Sequence, residues 1–342
     1  MTARLPIMLV HGFHGSVANW TESGFLDALI ARGLDPALIH LFHYGYNEIE
    51  GGLIYDTEGD IRAVASRMSL RATDVPEDIE CQIDRLSQKS VTAGGPPGVT
   101  LICHSMGGLV SRYYLSRTQA DAFGTLYGGN VARVIQIGTP NLGVDLARMI
   151  TLIPPDSIIW QVLHWFERLS FGKNRALRLL ADVERQVEQL QLEAYEAQFG
   201  PRPRGYFDSL ALRQITPGSE FLSTLNQPRN TPRTVEFHTI YGDIRFGVSV
   251  LWGKVPLWLR SVSFGDLLVP VYSAYEIPGT TPERYRFACE EEWTIRLGRP
   301  APAARDFAEQ YLPAVSHSNL LRNPAVQQTV GEILSASLPP SE

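Results

Sequence analysis

Short runs of apolar residues alternate with glycine-bearing loops and with longer segments of helical periodicity along most of the chain. Such runs are typical of strands in a parallel sheet, because helices cover both faces of these strands. We predict strands at residues 7–10, 38–42, 99–103, 131–137, 235–241 and 284–288. We predict helices at residues 19–30, over much of 56–89, directly after 105 and at 323–336. This order predicts the α/β class with a mostly parallel sheet flanked by helices.

Residues 146–232 break this alternation, and we predict that they form an inserted helical cap. The stretch 150–171 is rich in Ile, Leu, Trp and Phe, and the stretch 174–199 has the period of a long amphipathic helix. The cap would divide the core into a first part, residues 1–145, and a second part, residues 233–342. Two compatible interpretations stay open: a helical subdomain packed on the core, or a lid whose apolar side covers the site and opens onto lipid.

A serine stands where a predicted strand meets a predicted helix, in the stretch Val99–Val110. A turn that is too tight for ordinary side chains would lift the Ser105 hydroxyl above the sheet, as in a nucleophile elbow. The usual pattern there is Gly-x-Ser-x-Gly; Cys103 replaces the first glycine and Gly107 keeps the second. The alternative interpretation is a serine in an ordinary loop between a strand and a helix.

A serine hydroxyl becomes a good nucleophile when an imidazole takes its proton and a carboxylate orients that imidazole. We predict His317 as the base and Asp266, in a tight turn before an apolar run, as the acid. Asp243 and Glu276 compete for the role of the acid, and Asp243 is the stronger competitor.

Attack on an ester also produces an oxyanion, which two backbone N–H groups must stabilise. The residue after the nucleophile supplies one donor in this architecture, here Met106, and the loop after the first strand supplies the other, here Phe13. Gly12 and Gly15 allow that loop a close approach. The alternative is a plain glycine turn that ends the strand.

Composition narrows the possible classes of protein further. The chain has 342 residues, which suffices for a sizeable core, and a net charge of −6, which gives no sign of nucleic-acid binding. Three cysteines are too few for a disulfide framework. We expect no cofactor, no assignable metal, no transmembrane segment and a cytoplasmic location, or secretion if a leader was removed before residue 1.

Taken together, these motifs resemble the lipase and esterase branch of the α/β-hydrolases, in particular bacterial triacylglycerol lipases. The resemblance rests on residues 9–15, 103–108, 138–143, 265–270 and 317–321. It implies the chain order Ser, acid, His, which Ser105, Asp266 and His317 follow, and His317 is the one histidine of eight that comes after Asp266. Within the predicted cap, residues 215–222 look like a segment that precedes the next strand in related lipases.

Two features depart from the family pattern: Cys103 in the elbow, and a long insert between Tyr241 and Asp266 in which we predict an apolar loop at 249–260. The resemblance implies a serine carboxylic-ester hydrolase that acts on small-molecule or lipid esters with an apolar acyl group, with lipid contact through the cap. Two other hypotheses stay open. One is an acyltransferase, amidase or phospholipid acylhydrolase with the same triad, and the other is a non-catalytic protein that binds lipid or a partner.

Overall fold

The chain forms an α/β structure, described here from a computed structural model. The described residues are 5–13, 15–42, 44, 47–49, 52–54, 59–69, 83–92, 94–144, 209–252, 255–263, 265–266, 268–296 and 314–336.

The sheet at the centre has seven strands within this described part, in the order β2-β1-β5-β6-β7-β8 with β9 on the free side of β7. Six strands are parallel and β8 runs antiparallel to β7. The strands are β1 (Ile7–Val10), β2 (Ile39–Phe42), β5 (Val99–His104), β6 (Val131–Ile137), β7 (Glu236–Trp252), β8 (Val255–Ser263) and β9 (Glu283–Arg296). A separate antiparallel pair joins β3 (Asn47–Ile49) to β4 (Gly52–Ile54). The predicted fold class is confirmed.

Helices cover both faces of this sheet, and several begin at a side-chain cap that the sequence supplies. Asp60, Ser209, Ser219 and Asn323 each accept a hydrogen bond from a backbone N–H in the first turn of the helix that follows. The described α-helices are α1 (Ala18–Thr21), α2 (Phe25–Ala31), α3 (Ile61–Ser66), α4 (Ile83–Thr92), α5 (Met106–Leu115), α6 (Leu210–Ile215), α7 (Glu220–Leu225), α8 (Val271–Tyr275) and α9 (Pro324–Ser335).

Two buried clusters lie on opposite faces of the sheet, because neighbouring strand residues point to opposite sides. Met8 and Val10 of β1 join one cluster, which includes the apolar faces of α3, α4 and α5. Ile7 and Leu9 join the other, with α2 and α9. All six residues of β5 are buried, which agrees with its central position in the sheet.

The insert before Asp266 differs from the prediction. The predicted strand 235–241 continues as far as Trp252. The stretch 249–260, predicted as an apolar loop, belongs instead to strands β7 and β8, which pair so that Trp252 lies opposite Val255. The two-residue connection between these partners is typical of a β-hairpin, and the apolar, β-branched residues on both sides suit strands. Strand β9 is correspondingly longer than predicted, because it pairs with β7 from His238 to Leu251.

Other boundaries also differ. The predicted helix 19–30 is split into α1 and α2 at Gly24, whose φ of 73° is a left-handed conformation that interrupts a helix. The predicted helical region 56–89 contains α3, a 3-10 turn at Arg67–Ser69 and α4, while residues 70–82 lie outside the described part.

Most of the predicted cap, residues 146–208 with the expected helix 174–199, also lies outside the described part of the chain, and the domain boundaries stay predictions. Among the described helices, none is long and apolar enough to cross a membrane.

His238 gives the fold a testable pH dependence. Burial lowers the pKa of this imidazole although Glu236, whose Oε1 lies 3.0 Å from its Nε2, acts to raise it. The unfolded chain therefore takes up a proton first as the pH falls, and folded stability is lost from about pH 6.5 downward. We expect a lower free energy of unfolding at pH 5 than at pH 7 in urea titrations.

The variant His238→Gln should show a smaller difference between the two pH values. The difference should not vanish, because burial also lowers the pKa of His104, to about 3. An unfolding free energy that depends on pH equally in the variant and the wild type would contradict this assignment.

Candidate active site

Ser105 occupies a strained corner between β5 and α5. Its φ of 54° and ψ of −130° make it the one residue other than glycine with a positive φ in the described ranges. An L-residue adopts this conformation at a cost of about 1–3 kcal/mol, and such strain is concentrated at functional sites. The Ser105 N–H donates to the Ile137 carbonyl of the neighbouring strand at 2.9 Å, which fixes the corner to the sheet.

Small residues behind the corner let α5 pack closely onto the sheet. A β-carbon built on Gly107 would lie 2.3 Å from the His11 carbonyl oxygen, and one on Gly108 would lie 2.1 Å from Thr139 Oγ1. Cys103, the departure from the elbow pattern, is accommodated because its side chain is fully buried on β5, with Sγ 3.1 Å from Ser111 Oγ. The Ser111 hydroxyl donates its hydrogen to the Gly107 carbonyl, so it must accept from the Cys103 thiol. Burial raises the pKa of this thiol to about 12. The thiol is therefore neutral.

The structure brings His317 and Asp266 together. His317 Nδ1 lies 2.8 Å from Asp266 Oδ2, and the His317 N–H donates to the Asp266 carbonyl at 2.9 Å. The other carboxylate oxygen, Oδ1, accepts from the backbone N–H groups of Leu268 and Val269 at 3.0 and 2.7 Å. The exposed fraction is 2% for the His317 side chain and 1% for the Asp266 side chain. Burial and these hydrogen bonds therefore hold the carboxylate in one orientation towards the imidazole.

Asp243, the competing acid, lies in a different environment. Its Oδ2 forms ion pairs with Arg286 at 2.5 Å and Arg245 at 3.1 Å, and its Oδ1 accepts from Ser263 at 2.5 Å. Burial acts to raise the pKa of this carboxyl, but these hydrogen bonds outweigh burial and lower it. Both oxygens of Asp243 thus serve contacts between β7 and its neighbours. Glu276, the other competitor, pairs with Arg284 at 3.5 Å.

His317 Nε2 is buried and has no hydrogen-bond partner among the described residues. A buried polar atom without a partner is unusual, and it points to a role that the resting structure does not fill. An imidazole with a carboxylate on Nδ1 can accept a proton at Nε2. Gly138, with a φ of 60°, borders the pair so closely that an added β-carbon would lie 3.0 Å from Asp266 Oδ2 and 3.1 Å from His317 Nδ1.

The loop after β1 also lies close to Ser105. A β-carbon on Gly12 would lie 2.6 Å from Ser105 Cβ and 3.2 Å from its Oγ, so only glycine fits there. The Tyr44 hydroxyl donates to the His11 carbonyl, and its ring stacks on the His11 ring at 4.0 Å. Phe13 follows Gly12 in a turn closed by the bond from Gly15 N–H to the Gly12 carbonyl at 3.0 Å.

Met106 is the first residue of α5, and it is buried. The first N–H groups of a helix have no acceptor within the helix, and the helix dipole favours negative charge beside them. The two predicted donors therefore belong to the two segments next to Ser105: Met106 begins α5, and Phe13 follows Gly12 in the loop after β1.

A buried polar network, which the sequence did not reveal, holds the loop after β6. The Arg112 guanidinium of α5 donates to Asn141 Oδ1 at 3.1 Å and to Asn226 Oδ1 at 2.8 Å. Asn141 in turn donates to Gln136 Oε1 at 2.8 Å. Burial lowers the pKa of Arg112 to about 9, so the guanidinium is charged at neutral pH. The network fixes the segment 138–143, which begins with the glycine beside Asp266 and His317.

His104, the residue before Ser105, makes a second contact that the motif did not predict. Its Nε2 lies 3.1 Å from the carbonyl oxygen of His317, and the two rings are 4.8 Å apart. A pattern of adjacent residues contains no information about a partner 213 positions away.

The family described as the alpha/beta hydrolase fold matches residues 6–222, which is more than half of the chain. The chain therefore belongs to the α/β-hydrolase fold family, and the family supports a hydrolase in general terms. The matched part contains Ser105 and both predicted oxyanion donors, whereas Asp266 and His317 follow it. The sequence matches no curated protein.

Solved structures with a similar fold include the mature lipase BlEst2 of Bacillus licheniformis, with 15% identity, a TM-score of 0.45 and coverage of 98% of this chain and 93% of that one. EstA of Clostridium botulinum has 13% identity, a TM-score of 0.44 and coverage of 98% and 88%. Lipase 1 of Pelosinus fermentans has 13% identity, a TM-score of 0.40 and coverage of 98% and 100%.

The close approach of Gly12 to Ser105 can be tested with Gly12→Ala. The added methyl would collide with Ser105 Cβ and lie 3.0 Å from the His104 carbonyl oxygen, so the serine or the loop must move. We expect a serine-directed phosphonate to label Ser105 at least about 100-fold more slowly, the size of effect seen when an oxyanion donor is lost.

Gly331→Ala is the matched control. Gly331 lies on helix α9, and the three atoms nearest to its added β-carbon would all belong to the flexible Arg32 side chain. This variant should be labelled at the wild-type rate. Equal labelling of Gly12→Ala and wild type would contradict the close approach.

Proposed function

We propose that this protein is a serine carboxylic-ester hydrolase of the lipase and esterase type. Ser105 is the nucleophile, His317 the general base and Asp266 the acid that orients it. One observation carries the proposal: a buried carboxylate binds Nδ1 of an equally buried imidazole whose Nε2 has no partner in the described part of the chain. That imidazole follows Ser105 and Asp266 in the chain order of the family.

The reaction proceeds in two halves. Ser105 Oγ attacks the ester carbonyl carbon while His317 Nε2 takes the hydroxyl proton, and His317 then gives that proton to the departing alcohol. An acyl-serine remains. Water, deprotonated by His317, attacks the acyl carbon, and the carboxylic acid leaves as Ser105 recovers its proton. Asp266 stabilises the imidazolium in both halves through the bond from Nδ1, as the 2.8 Å contact supports.

In each half the carbonyl oxygen becomes an oxyanion. We assign its two donors to the N–H groups of Met106 and Phe13, which lie on α5 and on the loop after β1. The contact between Gly12 and Ser105 supports this assignment, because it brings that loop against the nucleophile. The absence of a hydrogen bond between Ser105 and His317 is compatible with catalysis, since such bonds are often formed only with substrate bound.

For the substrate, we propose a small-molecule or lipid ester with an apolar acyl group. This proposal rests on the apolar sequence of residues 150–171, which we predict to cover the site. Motion of a lid and contact of the cap with a lipid surface stay predictions of the same kind.

Hydrolysis of p-nitrophenyl esters from acetate to palmitate, by wild type and Ser105→Ala in parallel, tests the function. We expect turnover by the wild type and a decrease in kcat of about 10⁴-fold or more in the variant, as loss of a triad member predicts. The dependence on chain length separates an esterase from a lipase. A wild type that hydrolyses none of the esters, with or without detergent, would overturn the proposal.

The choice of acid is tested by the pair Asp266→Asn and Asp243→Asn. Asp266→Asn should reduce kcat by roughly 10⁴-fold, because the amide no longer favours the required tautomer and charge of His317. Asp243→Asn should leave kcat within a few-fold of wild type but lower the melting temperature, because it weakens the ion pairs with Arg286 and Arg245. The reverse pattern would transfer the role to Asp243.

A further inference from the structure

His104, the residue next to Ser105, makes a direct polar contact with His317, the residue that we propose as the base. Its imidazole is 6% exposed, and its Nε2 lies 3.1 Å from the carbonyl oxygen of His317. A carbonyl oxygen only accepts hydrogen bonds, so Nε2 must carry the hydrogen and donate it. The tautomer of His104 is thereby fixed.

Three bonds then hold His317, each at a different point. Asp266 accepts from the ring at Nδ1 and from the backbone N–H, and His104 donates to the backbone carbonyl. The first two bonds fix the imidazole relative to the acid. The bond from His104 fixes the backbone of His317 relative to β5, whose last residue is His104 and whose end is joined directly to Ser105.

The surroundings of His104 keep its ring neutral. Burial is the largest cause and the neighbouring His317 the second, and together they lower the pKa of His104 to about 3. A neutral ring donates one hydrogen bond and adds no positive charge 4.8 Å from the ring that must itself become positive during the reaction.

We propose that His104 is a positioning residue that sets the distance between the nucleophile and the base by donating its Nε2–H to the backbone carbonyl of His317. This inference rests on the proposed function, because the distance matters only if Ser105 and His317 react together. A displacement of about 1 Å at such a pair costs on the order of 100-fold in rate.

Two substitutions separate the hydrogen bond from simple packing. His104→Phe keeps a ring next to His317 but removes the donor, whereas His104→Gln keeps an N–H donor of similar reach. We expect His104→Phe to lower kcat for p-nitrophenyl esters by roughly 10- to 100-fold with little change in KM, and His104→Gln to stay within about 3-fold of wild type. If His104→Phe had the wild-type kcat per folded molecule, or if His104→Gln were impaired equally, the proposal would be overturned.

Proton NMR supplies a readout that does not depend on turnover. The Nδ1–H of His317, bonded to Asp266, should give a low-field signal in wild type, in Ser105→Ala and in His104→Gln, and a shifted or broadened signal in His104→Phe. An unchanged signal in His104→Phe would count against the positioning role. Inactive wild type with the expected signals would reject the proposed function and with it the positioning role, and only the hydrogen bond from His104 to His317 would then stand.

The wild-type protein alone provides a last test, which applies even where the variants do not fold. The ¹⁵N shifts of His104 should show a neutral ring protonated at Nε2 throughout pH 5–9, as burial and the bond to His317 require. A ring protonated at Nδ1, or one that titrates in this range, would overturn the inference.

Discussion

The corner at Ser105 is the constraint on which the rest of the site depends. A positive φ at a residue with a side chain is unfavourable, and the corner persists because β5 is buried along its whole length and α5 packs tightly against it. Gly107 and Gly108 allow that packing, since any side chain there would meet the end of β1 or Thr139. The elements brought into contact by this packing, namely the loops after β1 and β6, are the ones that surround the serine. The strained backbone and the arrangement of the site therefore have one common cause.

The electrostatic environment of the site depends on which of its buried groups are charged. Cys103 and His104 directly precede the corner, and burial keeps both neutral, since it raises the pKa of the thiol and lowers that of the imidazole. Arg112 is charged and equally buried, but it is held by the amide oxygens of Asn141 and Asn226. The positive charge on Arg112 thus stabilises a loop, and no permanent charge other than that of Asp266 contacts His317 among the described residues. The absence of positive charge beside this ring favours the proton transfer to His317 that we propose.

The sequence predicted where the parallel strands lie along the chain and where the serine corner lies, because both leave short-range signals: buried apolar runs, and small residues beside one hydroxyl. It predicted less well where a strand continues. The apolar stretch 249–260 is predicted to be a loop, yet pairing with β9 and with the hairpin partner β8 extends strand β7 to Trp252. The contact between His104 and His317, and the Arg112 network, join residues far apart in the chain, and only the folded structure brings such partners together.

One feature of the loop after β6 bears on how this chain could have diversified. Val144 N–H donates to the Ile215 carbonyl at 2.9 Å, so the end of α6 lies directly beside the loop by which the chain leaves β6. The closure entropy of the intervening segment grows only slowly with its length, by about 0.6 kcal/mol for each doubling. Insertions and deletions between Val144 and Ser209 would therefore leave the sheet and the corner at Ser105 undisturbed. Selection, or a protein engineer, can vary the length of this segment as a module while β5, α5 and the buried face of α6 keep their places.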